Sequence, residues 1–207
     1  MFTPDAFRID DAARQHALIR DNPLALLVAS TAQGLEASHV PMLLDEPAHG
    51  TPQLRFHLAA PNPLVDALDG DAEVLCIFQG PEAYVSPDWY RNPKLVPTWN
   101  YAAVHTYGRP QPVDDAQLLT LLIDLSARQE GTLDKTPWTV DKLDTDAFTR
   151  MRRAIVGFHM PIDRIQGKWK MSQNRNRDDQ RGVVAALGDL GTEAATRVAR
   201  EMESLAT

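Results

Sequence analysis

The 207-residue chain carries 28 acidic and 21 basic side chains and a single cysteine, so one large core is within reach and an internal disulfide is not. A net charge of −7 excludes a wholly cationic surface for nucleic acid, whose non-specific binding depends on protein cations displacing counterions. No run of roughly eighteen apolar residues exists to cross a membrane, and the first residues show neither the basic segment nor the apolar stretch of a signal peptide, so a cytoplasmic protein is expected.

Asp10 or Asp11 can cap a helix over 11–20, which Asn22-Pro23 ends. Residues 24–29 read as a buried strand, Gly34 as a turn, and residues 37–44 as a second strand. Pro41 cannot donate to a ladder, so the backbone there is expected at an edge or bulge. Leu54, Phe56 and Leu58 alternate with Arg55 and His57, the pattern of a half-buried strand. Asn62-Pro63 reads as the cap and first position of a brief helix through Leu68.

A strand over 74–78 follows, with Cys76 as a small buried residue, then a further strand and an ordered loop through Tyr90. Residues 98–108 read as strand, and Asp114 caps a long helix whose stripe is Leu118, Leu121, Leu122 and Leu125. A helix over 146–153 and one strand over 155–166 come next. Two helices close the chain, 178–187 stopped by Gly188, and 192–205. About seven strands with few, separated helices point to a mostly β (α+β) fold: an antiparallel barrel with peripheral helices. The barrel is expected over about 23–170 and a helical C-terminal extension over about 176–207.

Several chemistries lack support. No Gly-x-Gly-x-x-Gly opens a helix, Gly167-Lys168 has no phosphate-loop context, and no Gly-x-Ser-x-Gly elbow surrounds a serine. The six histidines show no metal spacing, and one cysteine gives no thiolate cluster, so no metal is expected. What stands out is a set of strand-borne aromatics and amides: Trp99, Asn100 and Tyr101 in one segment, and Trp169, Ser172, Gln173 and Asn174 in another, beside Lys168 and Lys170. Basic residues crowd from Arg150 to Arg181. That cluster reads as a solvated face, as a site for a phosphate or similar small anion, or as a contact for a nucleic-acid backbone. Flavin mononucleotide (FMN) suits the whole set, having a phosphate, an apolar ring face and a polar ring edge, although stacked aromatics and amides suit nucleotides or peptides as well.

The phrases Ser38-His39-Val40-Pro41, Ile77-Phe78-Gln79-Gly80-Pro81, Tyr84-Val85-Ser86-Pro87-Asp88-Trp89-Tyr90, Val96-Pro97-Thr98-Trp99-Asn100-Tyr101 and Gly167-Lys168-Trp169-Lys170-Met171-Ser172-Gln173-Asn174-Arg175 resemble, in order, those of the PaiB family. That family is described as FMN-binding negative transcriptional regulators. The resemblance implies a split β-barrel like that of pyridoxamine-phosphate oxidases and flavin reductases, an FMN cofactor, and a homodimer with flavin at the subunit interface. It implies a regulatory role, with DNA contacted directly or indirectly, or else a flavin reductase or FMN-dependent oxidoreductase.

Laid on the oxidase pattern, Ser38, His39, Val40 and Pro41 match the first flavin strand, and His57, Leu58 and Asn62 match the phosphate-binding turn. The oxidases' basic pair is replaced here by Pro63-Leu64, so the phosphate charge is expected to be met by Lys168, Lys170 or Arg175. Trp99, Asn100, Ser172, Gln173 and Asn174 complete the expected cofactor set. Each has a structural alternative: aromatics of the core or dimer interface, hydrogen-bonded histidines, a helix cap at Asn62, and a barrel terminus at Ser172-Gln173-Asn174.

Overall fold

The computed structural model describes all residues except Pro93 and Thr207. Nine strands share one hydrogen-bonded order, β1-β9-β6-β5-β2-β3-β4-β8-β7, and every pairing with a described register is antiparallel. The strands are β1 (Arg8–Ile9), β2 (Leu24–Thr31), β3 (Gly34–Asp45), β4 (Gln53–Ala59), β5 (Val74–Val85), β6 (Thr98–Gly108), β7 (Gln111–Pro112), β8 (Ile155–Pro161) and β9 (Arg164–Lys170). The helices are α1 (Ala12–Asp21), α2 (Asp115–Glu130), α3 (Thr145–Arg152), α4 (Arg177–Leu190) and α5 (Glu193–Leu205). Two compact units result, and β5, β6 and β9 each contribute residues to both.

The first unit comprises residues 1–22, 78–105 and 166–207. Its core holds Ile19, Phe78, Val104, Trp169, Val183 and Val198, all nearly sealed from water. Trp169 ties three elements together. Its indole N–H donates to Glu201 of α5 at 2.9 Å, and Arg14 of α1 lies over its ring at 5.7 Å while pairing with Glu201 at 2.8 Å. Gly167 lets α1 approach β9, because a Cβ there would sit 2.6 Å from the Ile9 carbonyl oxygen and 3.0 Å from the Gln15 amide.

The second unit comprises residues 23–77 and 106–165. Phe56 and Phe158 face each other across β4 and β8, their rings stacked 5.5 Å apart. Leu43 packs with Leu118, Leu121 and Leu125 of α2, the stripe that the leucine spacing predicts. Asp114 caps α2 through a full capping box with Gln117. Cys76 is fully buried, which pushes its thiol up to about 12.

Five expectations are corrected. The strand expected over 155–166 is two strands, β8 and β9, parted at Ile162-Asp163, where Asp163 N–H donates to the Tyr107 carbonyl. The strand expected over 74–78 runs on through Gly80-Pro81 to Val85. No helix starts at Asn62: its side chain accepts from Leu64 N–H at 2.9 Å, an Asx turn leading only to a 3₁₀ turn over Val65–Ala67. Helix α4 passes Gly188 and ends at Gly191, whose φ of 64° suits a left-handed C-terminal stop. Pro41 lies in an interior strand; it pairs with Leu24 on one side, and the ladder to β4 begins only at Met42, so its missing N–H costs no bond on that second side.

Candidate functional site

In the first unit, strand alternation sorts the residues of interest. On β9, Gly167 and Trp169 are buried while Lys168 and Lys170 are half-buried on the opposite face. On β6, Trp99 and Tyr101 face outward beside the fully buried Asn100. Trp99 is 52% exposed, high for an indole, and meets Tyr84 edge-on at 6.0 Å between centroids. The Lys168 ammonium lies 5.2 Å over the Tyr101 ring and 5.9 Å from that of Phe2, and donates to the Phe2 carbonyl at 3.1 Å. The Lys170 ammonium donates to the Thr98 hydroxyl and, at 2.6 Å, to the Trp99 carbonyl.

Tyr84, Trp99, Tyr101, Lys168 and Lys170 thus form a face of flat rings and ammonium groups. Lys170 is held below the ordinary lysine value, first by burial and then by the charges of Lys168 and Arg175. The cations therefore outweigh nearby acids at that point, and an incoming anion would relieve the repulsion. Rings for stacking and cations for a phosphate are what FMN requires, so the donor set fits the cofactor.

The same motif turns inward at Ser172, two residues beyond β9. Ser172 is the one non-glycine residue with positive φ among those described, at 62°, and only 4% of its surface is exposed. Its hydroxyl donates to Asn100 Oδ1 at 3.1 Å, and Asn100 Nδ2 lies 3.3 Å from the Met202 sulfur. Gln173 accepts from Met171 N–H at 2.7 Å and donates to the Trp169 carbonyl at 2.6 Å. Asn100, Ser172 and Gln173 thus bond within the fold, whereas Asn174 is exposed.

The second unit brings together part of its expected set. Asn62 Nδ2 donates to Ser38 Oγ at 3.0 Å, closing a bridge from β3 to the turn after β4. His57 is half-buried beside them in sequence, its Nδ1 without a hydrogen bond among the described residues, and burial holds its imidazole below the ordinary value. Val40 and Leu58 point into the core, whereas His39 and Pro41 are exposed.

Sequence reasoning left Tyr84 out of the site and named Tyr101 only among the aromatics of its segment. Alternation along β6 carries the signal for Tyr101, two residues from Trp99 on the same side. Tyr84 gives no such signal, since its place depends on strand pairing. Among the described residues, no cluster of three or more His, Cys, Asp or Glu side chains could hold a metal ion, and no helix is long and apolar enough to cross a membrane.

Residues 1–164 match a family described as "Putative FMN-binding domain". The protease synthase and sporulation protein PAI 2 of Bacillus subtilis is 32% identical over 204 residues, covering 98% of this chain and 97% of that protein. An uncharacterized protein of Emericella nidulans is 34% identical, covering 88% of each chain. Among solved structures, the FAD and heme binding protein from Mycobacterium smegmatis superposes with a TM-score of 0.58 at 16% identity, covering 86% of this chain and 79% of the other. The fold is an antiparallel split β-barrel: the residue patterns imply the antiparallel barrel, and the family resemblance implies its split form.

Proposed function

This chain belongs to the family of FMN-binding domains, and on that premise we propose that it is a flavin-holding regulatory protein that works as a homodimer. FMN is its cofactor. Bound FMN supplies one- and two-electron redox chemistry. In this reading, Lys168 and Lys170 attract and orient the phosphate, while Trp99 and Tyr101 offer rings to the flavin face. Ser38 and Asn62, which the oxidase pattern assigns to the cofactor, orient each other in the second unit. The observation that carries the reading is geometric: the Lys168 and Lys170 ammonium groups stand on one face with the Tyr101 ring and the exposed Trp99 and Tyr84 rings.

The regulatory part draws support from PAI 2, whose name refers to protease synthesis and sporulation and whose length this chain matches almost entirely. With a net charge of −7 and no recognised DNA-reading motif, the chain is better suited to act on gene expression indirectly than through a broad DNA-binding face. A second reading, an FMN-dependent oxidoreductase, is favoured by the exposed Tyr84 ring beside Trp99, which the flavin reading leaves accessible to a second planar reactant.

Titration with FMN, followed by flavin absorbance and fluorescence, tests the site. The Lys168→Ala/Lys170→Ala double variant is expected to bind FMN at least about tenfold more weakly while keeping its affinity for riboflavin, which has no phosphate. Equal affinity of wild type and variant for FMN would remove these lysines from the site. Anaerobic bleaching by NAD(P)H would decide for the oxidoreductase, and salt-sensitive, sequence-selective DNA retention for direct regulation. Sedimentation of the purified chain at micromolar concentration tests the dimer.

A further inference from the structure

The basic cluster that the sequence singles out is only partly used by the flavin reading. Arg177 and Arg181 stand one turn apart on α4 and line a cavity of about 430 Å³ between α4 and α5. That volume falls in the range of small-molecule sites. Met171, Val184, Met202 and Leu205 supply apolar wall, and Glu203 lies at the same opening. The Arg177 side chain makes no hydrogen bond or ion pair with any described residue. Arg181 reaches only Asp178, at 3.5 Å with both side chains over 70% exposed, a pair too solvated to commit its charge.

Both walls are fixed. Asp179 is 2% exposed and accepts from Arg91 N–H at 2.7 Å, from Asn92 N–H at 3.3 Å and from Asn176 Nδ2 at 2.8 Å, pinning the start of α4 to the segment after β5. Gly182 holds the next turn against the Trp89 carbonyl, where any Cβ would collide. The bond from Trp169 to Glu201 anchors α5. The cavity is therefore a standing feature of the hairpin, with little ordering left to cost a ligand affinity. Every residue lining it also lies beyond residue 164, outside the segment that matches the FMN-binding domain.

We propose that this cavity binds a small amphipathic anion, a single carboxylate or similar head on an apolar body, as a ligand distinct from the flavin. Arg177 and Arg181 face Glu203 at the opening, Asp178 lies outside the lining and is only loosely held by Arg181 at 3.5 Å, and the wall behind them is thioether and aliphatic. A nucleic-acid backbone would use the arginines but have no use for that apolar wall. Inorganic phosphate alone would leave it uncovered.

Isothermal titration of the full chain with octanoate, 1-octanol and inorganic phosphate tests this. Octanoate is expected to bind saturably, and at least about tenfold more tightly than either control. Arg177→Gln/Arg181→Gln, at solvated positions, is expected to erase the preference of octanoate over octanol, and Val184→Trp to abolish both by filling the space. FMN affinity is expected to be unchanged in all variants. Absence of saturable octanoate binding, or binding untouched by the arginine pair, overturns the proposal. So does a parallel loss of FMN affinity, which would assign the guanidinium groups to the flavin phosphate. A dimer that dissociates when octanoate is added would also overturn it, by making a second copy of the chain the natural occupant.

Discussion

The strand β9 and the turn that follows it belong to one continuous motif, yet they do opposite things. Along β9 the two-residue period sends Trp169 into the core and Lys168 and Lys170 outward, where their ammonium groups meet rings and carbonyls at the surface. At Ser172 the period breaks. A left-handed backbone turns the hydroxyl onto Asn100, and the Gln173 amide that follows is spent on the fold. Polar side chains clustered in sequence are thus divided by backbone geometry into a half available to a ligand and a half that holds the ligand's platform in place.

Trp169→Ala strikes the hinge of that division and carries the largest expected effect. The indole is 1% exposed and joins β9 to α1 and α5, so its loss leaves a cavity and removes one of the two donors to Glu201, Arg14 being the other. A loss of about 3–5 kcal/mol is expected in denaturant unfolding, together with loss of flavin binding. A midpoint shift too small for this would mean that β9 does not depend on the helices behind it.

Asn100→Ala attacks the inward half alone. It leaves the buried Ser172 hydroxyl without its acceptor and removes the contact with Met202, at an expected cost of about 1–3 kcal/mol. Ser172→Gly separates two contributions: it relieves the left-handed backbone by about 1 kcal/mol but gives up the hydroxyl bond, so a net change near zero is expected. Lys170→Ala attacks the outward half. Because the ammonium is only half-buried, unfolding should move little while FMN affinity falls about tenfold. If Asn100→Ala and Lys170→Ala instead weakened flavin binding equally at unchanged stability, the contrast between the two halves would fail.

The sequence shows this contrast incompletely, for physical reasons. Period-two alternation is a direct trace of sheet burial and makes β4 readable from residue types, as a continuous apolar run does for β2 and helical leucine spacing does for α2. The division between β8 and β9 is harder, because residues 155–166 stay largely apolar and the turn at Ile162-Asp163 lacks a glycine. Asn62-Pro63 satisfies the chemistry of a helix start and of an Asx turn equally well, and only the neighbouring Ser38 shows which one forms. Ser172 conceals its positive φ because the residue is not the glycine that marks such positions, so its hydroxyl reads as a ligand group rather than as part of a turn. Tyr84 joins the aromatic face through a contact across strands, which no local pattern records.

The smallest expected effect is on the pH dependence of stability, and it reaches both units. His16 and His105 in the first unit and His57 in the second are all held below the ordinary histidine value of 6.5, with burial as the largest cause in each. Arg20 adds to the shift at His16, and the N-terminal ammonium and Lys168 add to it at His105. A depressed imidazole stays neutral in the folded chain while its unfolded counterpart takes up a proton. The stabilisation is therefore complete above pH 6.5 and is lost as pH falls from there towards the folded values. Unfolding midpoints at fixed ionic strength should be flat from pH 8 to 7 and decline below 6.5. His57→Gln should remove part of that slope without touching flavin affinity if the Nδ1 is only a buried polar atom. A fall in FMN affinity in the same variant would place His57 against the cofactor and move part of the site into the second unit.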